Sequence, residues 1–104
     1  MNIIKTKTLY TWVKLSKYKK AESQIEAWIN DFSANDYKTP NEIKAKYRSA
    51  DFVGNNMVIF NIKGNDYRLI VRIRYQFNRV YIIWFGTHAE YDKLQDIENI
   101  KFEL

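Results

Sequence analysis

The hydrophobic positions of this chain change their period once, near Asp51. Before that point they recur at helical spacing. Leu9, Trp12 and Val13 share one face of a helix that ends near the cluster KYKK. Ala21, Ile25, Trp28, Ile29 and Phe32 follow as the inner stripe of a longer amphipathic helix. The segment TPNE at 39–42 predicts a third helix start, with Thr39 as N-cap, Pro40 at N1 and Glu42 reaching back to close a capping box. Ile43 and Tyr47 form its inner face, and MNIIK at the beginning reads as a short strand.

After Asp51 the alternation is that of strands: MVIFNIK, DYRLIVRIRY and RVYIIWFGT, rich in β-branched and aromatic residues. Gly64-Asn65 suits a tight hairpin loop, with glycine supplying the positive φ. That turn sets Arg68 opposite Asn61, Ile70 opposite Ile59 and Arg72 opposite Met57. Val58, Phe60, Ile62, Tyr67, Leu69, Val71, Ile73 and Tyr75 then fall on the other face, all apolar or aromatic. A two-residue turn at Phe77-Asn78 would place Arg68 opposite Thr87, beside His88. The predicted architecture is α+β, with N-terminal helices packed on one face of a small antiparallel sheet, in a single domain spanning 1–104. The segment QDIENIKFEL reads equally as a helix continuation, an edge strand or a tail.

Composition narrows the chemistry. There is no cysteine and one histidine in 104 residues, which argues against thiol chemistry and a protein-held transition metal. No cofactor motif is present: the three glycines are isolated, and no P-loop or G-x-S-x-G occurs. MNIIKTKTLYTW lacks a signal-peptide core, and no stretch approaches the roughly 20 apolar residues of a membrane helix. A cytoplasmic protein is the expectation. The formal net charge is +5 with a pI near 9.4, a balance suited to an anionic partner such as nucleic acid. Six lysines and no acid fall in residues 1–20, an ordinary solvated helix surface. Between 63 and 88, Lys63, Arg68, Arg72, Arg74 and Arg79 face only Asp66, and strand-like arginines are harder to dismiss. The three tryptophans, Trp12, Trp28 and Trp84, read as core residues.

The lone histidine lies in GTHAEYDK, residues 86–93. Thr87-His88-Ala89-Glu90 is a T-x-x-E capping box, so a helix is expected to begin at His88. Tyr91 and Asp92 share its face. With Arg68 approaching from the neighbouring strand and Lys63 at the hairpin tip, the group could cleave a phosphodiester: a base for the ribose 2′-OH, cations for the phosphorane and an acid for the leaving oxygen. A structural histidine and an ordinary turn lysine are the bland alternatives. Arg72 and Arg74 would meet RNA phosphates, or form a solvated strand face.

FVGNNMVIFNIKGNDYRLIVRIRY followed by VYIIWFGTHAEYDKL resembles the HigB-type toxins of bacterial type II toxin–antitoxin systems, within the RelE superfamily. The resemblance is strongest from about Ala50 to Leu94. It implies a RelE-like, microbial ribonuclease-type fold and a ribosome-dependent endoribonuclease that cuts translated mRNA without a cofactor, leaving a 2′,3′-cyclic phosphate and a 5′-hydroxyl. It also implies inhibition by a HigA-like helix-turn-helix antitoxin, through which operator DNA is reached. By the same resemblance His88 is the catalytic acid or base, Arg68 and Lys63 supply transition-state electrostatics, and Tyr91 positions the nucleotide. Arg72, Arg74, Asn61 and Lys93 are the expected RNA contacts. Ile83 stands where several relatives carry a basic residue in the third strand, and Arg72 is the candidate substitute. A non-catalytic RNA- or ribosome-binding module and a purely regulatory protein are the alternatives.

Overall fold

The computed structural model describes residues 1–95. Strand β1 (Asn2–Ile4) leads into α1 (Thr6–Val13), and a single 3-10 turn (Lys19–Ala21) connects it to α2 (Glu22–Ala34). Then come α3 (Pro40–Lys46), β2 (Asp51–Val53), β3 (Met57–Ile62), β4 (Tyr67–Arg74), β5 (Arg79–Thr87) and α4 (His88–Asp92). The five strands lie in the order β1-β5-β4-β3-β2. The expected α+β class is met, with one difference: β1 runs parallel to β5, so the sheet is mixed. The crossover through α1, α2 and α3 makes this possible, because a parallel neighbour needs a long connection.

The helices cover one sheet face. Leu9 and Val13 of α1, Ile25, Trp28, Ile29 and Phe32 of α2 and Ile43 of α3 bury against Val58, Phe60, Ile62, Tyr67, Leu69, Val71 and Ile73. These are seven of the eight residues that the hairpin register assigned to the apolar face; the eighth, Tyr75, lies in the turn after β4 and packs half-buried on the same core. Aromatic packing is dense where α2 meets β3, with Trp28 stacked on Phe32 at 4.5 Å and edge-on to Phe60 at 5.6 Å. Asp31 ties α2 to α3. Its carboxylate accepts from the hydroxyls of Tyr37 and Tyr47, each at 2.6 Å, and pairs with Lys46. Burial pushes the Asp31 carboxyl up, yet the bonds from Lys46, Tyr37 and Tyr47 together hold it below its ordinary value. Thr39 caps α3 as expected, but Glu42 reaches past it to the amide of Lys38 at 2.8 Å, so the reciprocal box is not closed.

The β3–β4 register is the one expected, with Arg68 opposite Asn61 and Arg72 opposite Met57. The turn itself puts positive φ on Lys63 and Gly64. The β4–β5 register differs from expectation by one residue: Arg68 faces Gly86, and Tyr67 faces Thr87. Two causes partly offset each other. The loop is four residues long, a 3-10 turn over Tyr75–Phe77 closed by left-handed Asn78, which moves the pairing by two. A β-bulge between Ile70 and Val71 then leaves Ile83 without a partner and returns one. The bulge sends both Ile83 and Trp84 to the open face, where Met57, Ile59, Ile70 and Ile83 form a second buried cluster with Tyr81, Trp84 and Tyr91 packed on it. Trp28 is a core residue; Trp84 belongs to the open face instead.

Candidate active site

At the end of β5 the chain turns directly into α4, and the capping box expected there is complete. The Thr87 hydroxyl accepts from the Glu90 amide at 3.1 Å, while Glu90 accepts from the Thr87 amide at 2.8 Å. The His88 amide donates to the carbonyl of Asp66, fastening the helix start to the β3–β4 hairpin at 2.8 Å. Glu90 has two further partners that the sequence did not reveal. Lys17 reaches it at 2.5 Å and the Tyr18 hydroxyl at 2.9 Å, both from the connection after α1. Burial raises the Glu90 carboxyl, but Lys17, the Thr87 amide and Tyr18 outweigh it, so it titrates below its ordinary value. A carboxylate is thereby held where helix start and helical layer meet. Gly86 makes room for it: a Cβ there would lie 2.5 Å from the Trp84 ring and 2.8 Å from the Glu90 carboxylate.

Arg68 enters from β4 and is 8% exposed, the only buried charged residue among those described. Its guanidinium is committed to the protein. One terminal nitrogen donates to the carbonyls of Asn65 at 3.0 Å and Tyr67 at 3.1 Å. The other donates to the Asn65 side chain at 2.9 Å and to Nδ1 of His88 at 2.7 Å. All four terminal N–H groups therefore have acceptors, and only Nε–H is left over. The ring of Tyr91 lies beneath the guanidinium at 5.5 Å, a cation–π contact. Because an arginine N–H can only donate, Nδ1 of His88 carries the lone pair and the neutral ring holds its proton on Nε2. That nitrogen meets the Asp92 carboxylate at 3.1 Å, one helical turn on. The Tyr91 phenol is raised above its ordinary value, by burial first and by the Asp51 charge next, so it stays protonated through the neutral range.

The structure thus brings together three of the four residues expected to be catalytic: His88, Arg68 and Tyr91. Lys63 is at the same hairpin, where its backbone amide donates to the Gln24 side chain of α2. Among the described residues no hydrogen bond or ion pair joins the Lys63 side chain to His88. The Asn61 side-chain amide donates to the Ser49 carbonyl at 3.5 Å, and Lys93 is exposed beyond α4. Arg72 donates to the Asn55 carbonyl at 3.2 Å and Arg74 stands exposed, both farther along β4. Ile83 is buried at 5% in the open-face cluster, and Arg72 lines the same pocket beside it. Two residues were missed by sequence reasoning: Asn65, taken for turn chemistry, and Asp92, noted only for its spacing. Among the described residues no group of three or more His, Cys, Asp or Glu side chains is placed to hold a metal. No described helix is long and apolar enough to cross a membrane.

Fold and site together define a small α+β protein with a histidine-centred polar cluster at one end of an open, basic sheet face. Residues 21–94 match the family model of the RelE-like toxic component of a toxin–antitoxin system, and the chain belongs to this HigB toxin family. Membership implies an antitoxin partner. The chain is similar to the mRNA interferase toxin HigB of Escherichia coli K12, 26% identical over 87 residues that cover 82% of this chain and 84% of the relative. The mRNA interferase HigB of Shigella flexneri matches to the same extent.

Proposed function

We propose that this chain is an mRNA interferase, an endoribonuclease that cuts translated mRNA on the ribosome by proton transfer and electrostatics supplied by its own side chains. The observation that carries this reading is the placement of His88 between Arg68 on Nδ1 and Asp92 on Nε2. It also favours one answer to whether the histidine takes the first proton or gives the last. In the free protein the Nδ1 lone pair is covered by Arg68. A scissile phosphate drawing the Arg68 amino group toward its oxygen uncovers that lone pair beside the ribose. Nδ1 then accepts the 2′-OH proton while Asp92, bonded to Nε2–H, stabilises the imidazolium that forms. The 2′-oxygen attacks phosphorus, the bond to the 5′-oxygen breaks, and that oxygen leaves as a hydroxyl after taking a proton. Tyr91, held protonated, and Lys63 are the donors within reach of this end of the sheet. The buried charge of Arg68 opposes the negative charge that grows on the phosphorane.

The same reading makes the partner a HigA-like helix-turn-helix antitoxin, with operator DNA reached through it, and places the protein in the cytoplasm with its ribosomal substrate. The test is inducible expression of wild type and His88→Ala, with mRNA 5′ ends mapped on ribosomes. New 5′-hydroxyl ends within coding sequence are expected for wild type alone. Equal cleavage by both proteins removes His88 from the mechanism. Salt-sensitive RNA binding without new ends from either would leave a binding module.

A further inference from the structure

The end of the open face farthest from His88 contains an arrangement that folding alone does not favour. Arg74 of β4 lies directly opposite Arg79 of β5. Like charges facing each other across an antiparallel pair are destabilising. Arg72, two residues earlier, shares their face, and with Arg74, Lys5 just after β1, Tyr81, Ile82 and Ile83 it lines a pocket of about 170 Å³, beside which Arg79 stands opposite Arg74. None of these lining residues is acidic. Among the described residues neither Arg74 nor Arg79 has a carboxylate partner. Arg74 sits six residues from Arg68 along β4, about 20 Å at strand rise. Between the two ends the open face offers half-buried aromatic rings: Tyr81 beside the pocket, then Trp84 and Tyr91, 6.3 Å apart.

We infer that this pocket is a nucleotide subsite, in which Lys5, Arg72, Arg74 and Arg79 hold the phosphates of a single-stranded RNA segment and Tyr81 stacks one of its bases. The inference rests on the proposed interferase reading and extends it by naming where the strand is gripped away from the cut. Cations that lack an acid partner, as Arg74 and Arg79 do among the described residues, follow a phosphate backbone, whereas half-buried aromatic faces accept unpaired bases of any sequence. A duplex would meet the cations but leave Tyr81 unused, since its bases are already stacked. The Arg74–Arg79 repulsion is relieved when a phosphate lies between them.

Binding is measured in a His88→Ala background, which separates it from cleavage, using one labelled oligoribonucleotide as single strand and as duplex over a range of salt. Arg74→Glu replaces a repulsive cross-strand pair with an attractive one. It is therefore expected to keep or raise the thermal midpoint while weakening single-strand binding about tenfold at low salt and flattening the salt slope by about one or more. Tyr81→Leu is expected to weaken single-strand binding roughly tenfold and to leave duplex binding unchanged. Unaltered RNA affinity in a stable Arg74→Glu protein overturns the subsite. So does equal sensitivity of both RNAs to Arg74→Glu with none to Tyr81→Leu, which describes a backbone groove without a base pocket. Displacement of RNA by polyglutamate, indifferent to Tyr81, would assign the patch to an acidic protein instead. If His88→Ala cleaves like wild type yet Arg74→Glu weakens binding as expected, the catalytic reading fails and the subsite stands.

Discussion

The two ends of the open sheet face treat their arginines in opposite ways. At the α4 end Arg68 is buried, stacked on Tyr91, and has all four terminal N–H groups bonded to Asn65, Tyr67 and His88. At the other end Arg74 is exposed and faces Arg79, with no acid paired to either among the described residues. A saturated guanidinium is fixed in orientation and keeps its charge where dielectric screening is weak. An unpaired, solvated one adapts to a ligand and supplies affinity that salt can screen. One end is built to hold a proton acceptor in a single tautomer, the other to hold a chain of phosphates in any of several arrangements. In the proposed mechanism Arg68 therefore has two duties: its charge opposes that of the phosphorane, and it positions His88 until the scissile phosphate draws its amino group off Nδ1.

The sharpest way to break this contrast is to remove the group that Arg68 positions. His88→Ala is expected to reduce mRNA cleavage by roughly 10²–10⁴-fold, the usual contribution of a positioned acid or base. RNA affinity should change little, because the phosphate contacts lie elsewhere. A variant that loses affinity and cleavage in proportion would show that both ends merely bind.

Next in size is Arg68→Lys. It keeps the charge but cannot serve the Asn65 carbonyl, the Tyr67 carbonyl, the Asn65 side chain and Nδ1 together. Cleavage is expected to fall about 100-fold, and unfolding free energy by about 2 kcal/mol through acceptors left unpaired at a buried site. The same change at Arg74 should cost neither, which chemical denaturation and single-turnover cleavage will show side by side. Asp92→Asn follows. It still accepts from Nε2–H but stabilises an imidazolium poorly, so about a tenfold loss is expected in the rate at saturating RNA rather than in affinity. An effect confined to affinity would make Asp92 part of the binding surface.

The contrast also explains what the sequence made legible. The hairpin register followed from Gly64-Asn65 and the alternation around it, since a one-residue slip would have exposed the whole apolar face. The start of α4 followed from Thr87 and Glu90, because capping is a local affair. What depended on distant chain did not show. The β-bulge at Ile83 has no signature in VYIIWF; it moves Trp84 out of the expected core and, together with the four-residue loop after β4, sets Arg68 opposite Gly86 instead of Thr87. The partners Lys17 and Tyr18 lie 73 and 72 residues from Glu90, beyond any spacing rule. Asn65 looked like turn chemistry, and its second use as a clamp on Arg68 needs the folded hairpin. Lys63 is a further case: the positive φ that its turn gives it, and the bond from its backbone amide to the Gln24 side chain of α2, have no mark in the local sequence.

The smallest expected effect concerns the joint that fixes the rigid end to the helical layer. Glu90→Ala removes the cap on Thr87 and the acceptor for Lys17 and Tyr18 at once, for about 1 kcal/mol of stability and a few-fold loss of cleavage. Glu90→Gln can still accept from the Thr87 amide, so it should recover most of the helix contribution without the charge-dependent part. Proton linkage separates the two. The Glu90 carboxyl titrates lower in the folded protein than when unfolded, so its contribution is complete above the unfolded value of about 4.3 and is lost as pH falls through the folded value. Wild type should therefore lose this increment of stability on acidification below about pH 4.3, while Glu90→Gln, having no carboxyl to protonate, should not. Asp31 is also held low in the folded state and destabilises both proteins alike in acid, so only the difference between their pH profiles reports on Glu90. Parallel profiles would mean that the Lys17 and Tyr18 contacts add nothing to the cap. The His88 end would then be fixed by Arg68, the Thr87 cap and the His88 amide bond to Asp66, without help from the helical layer.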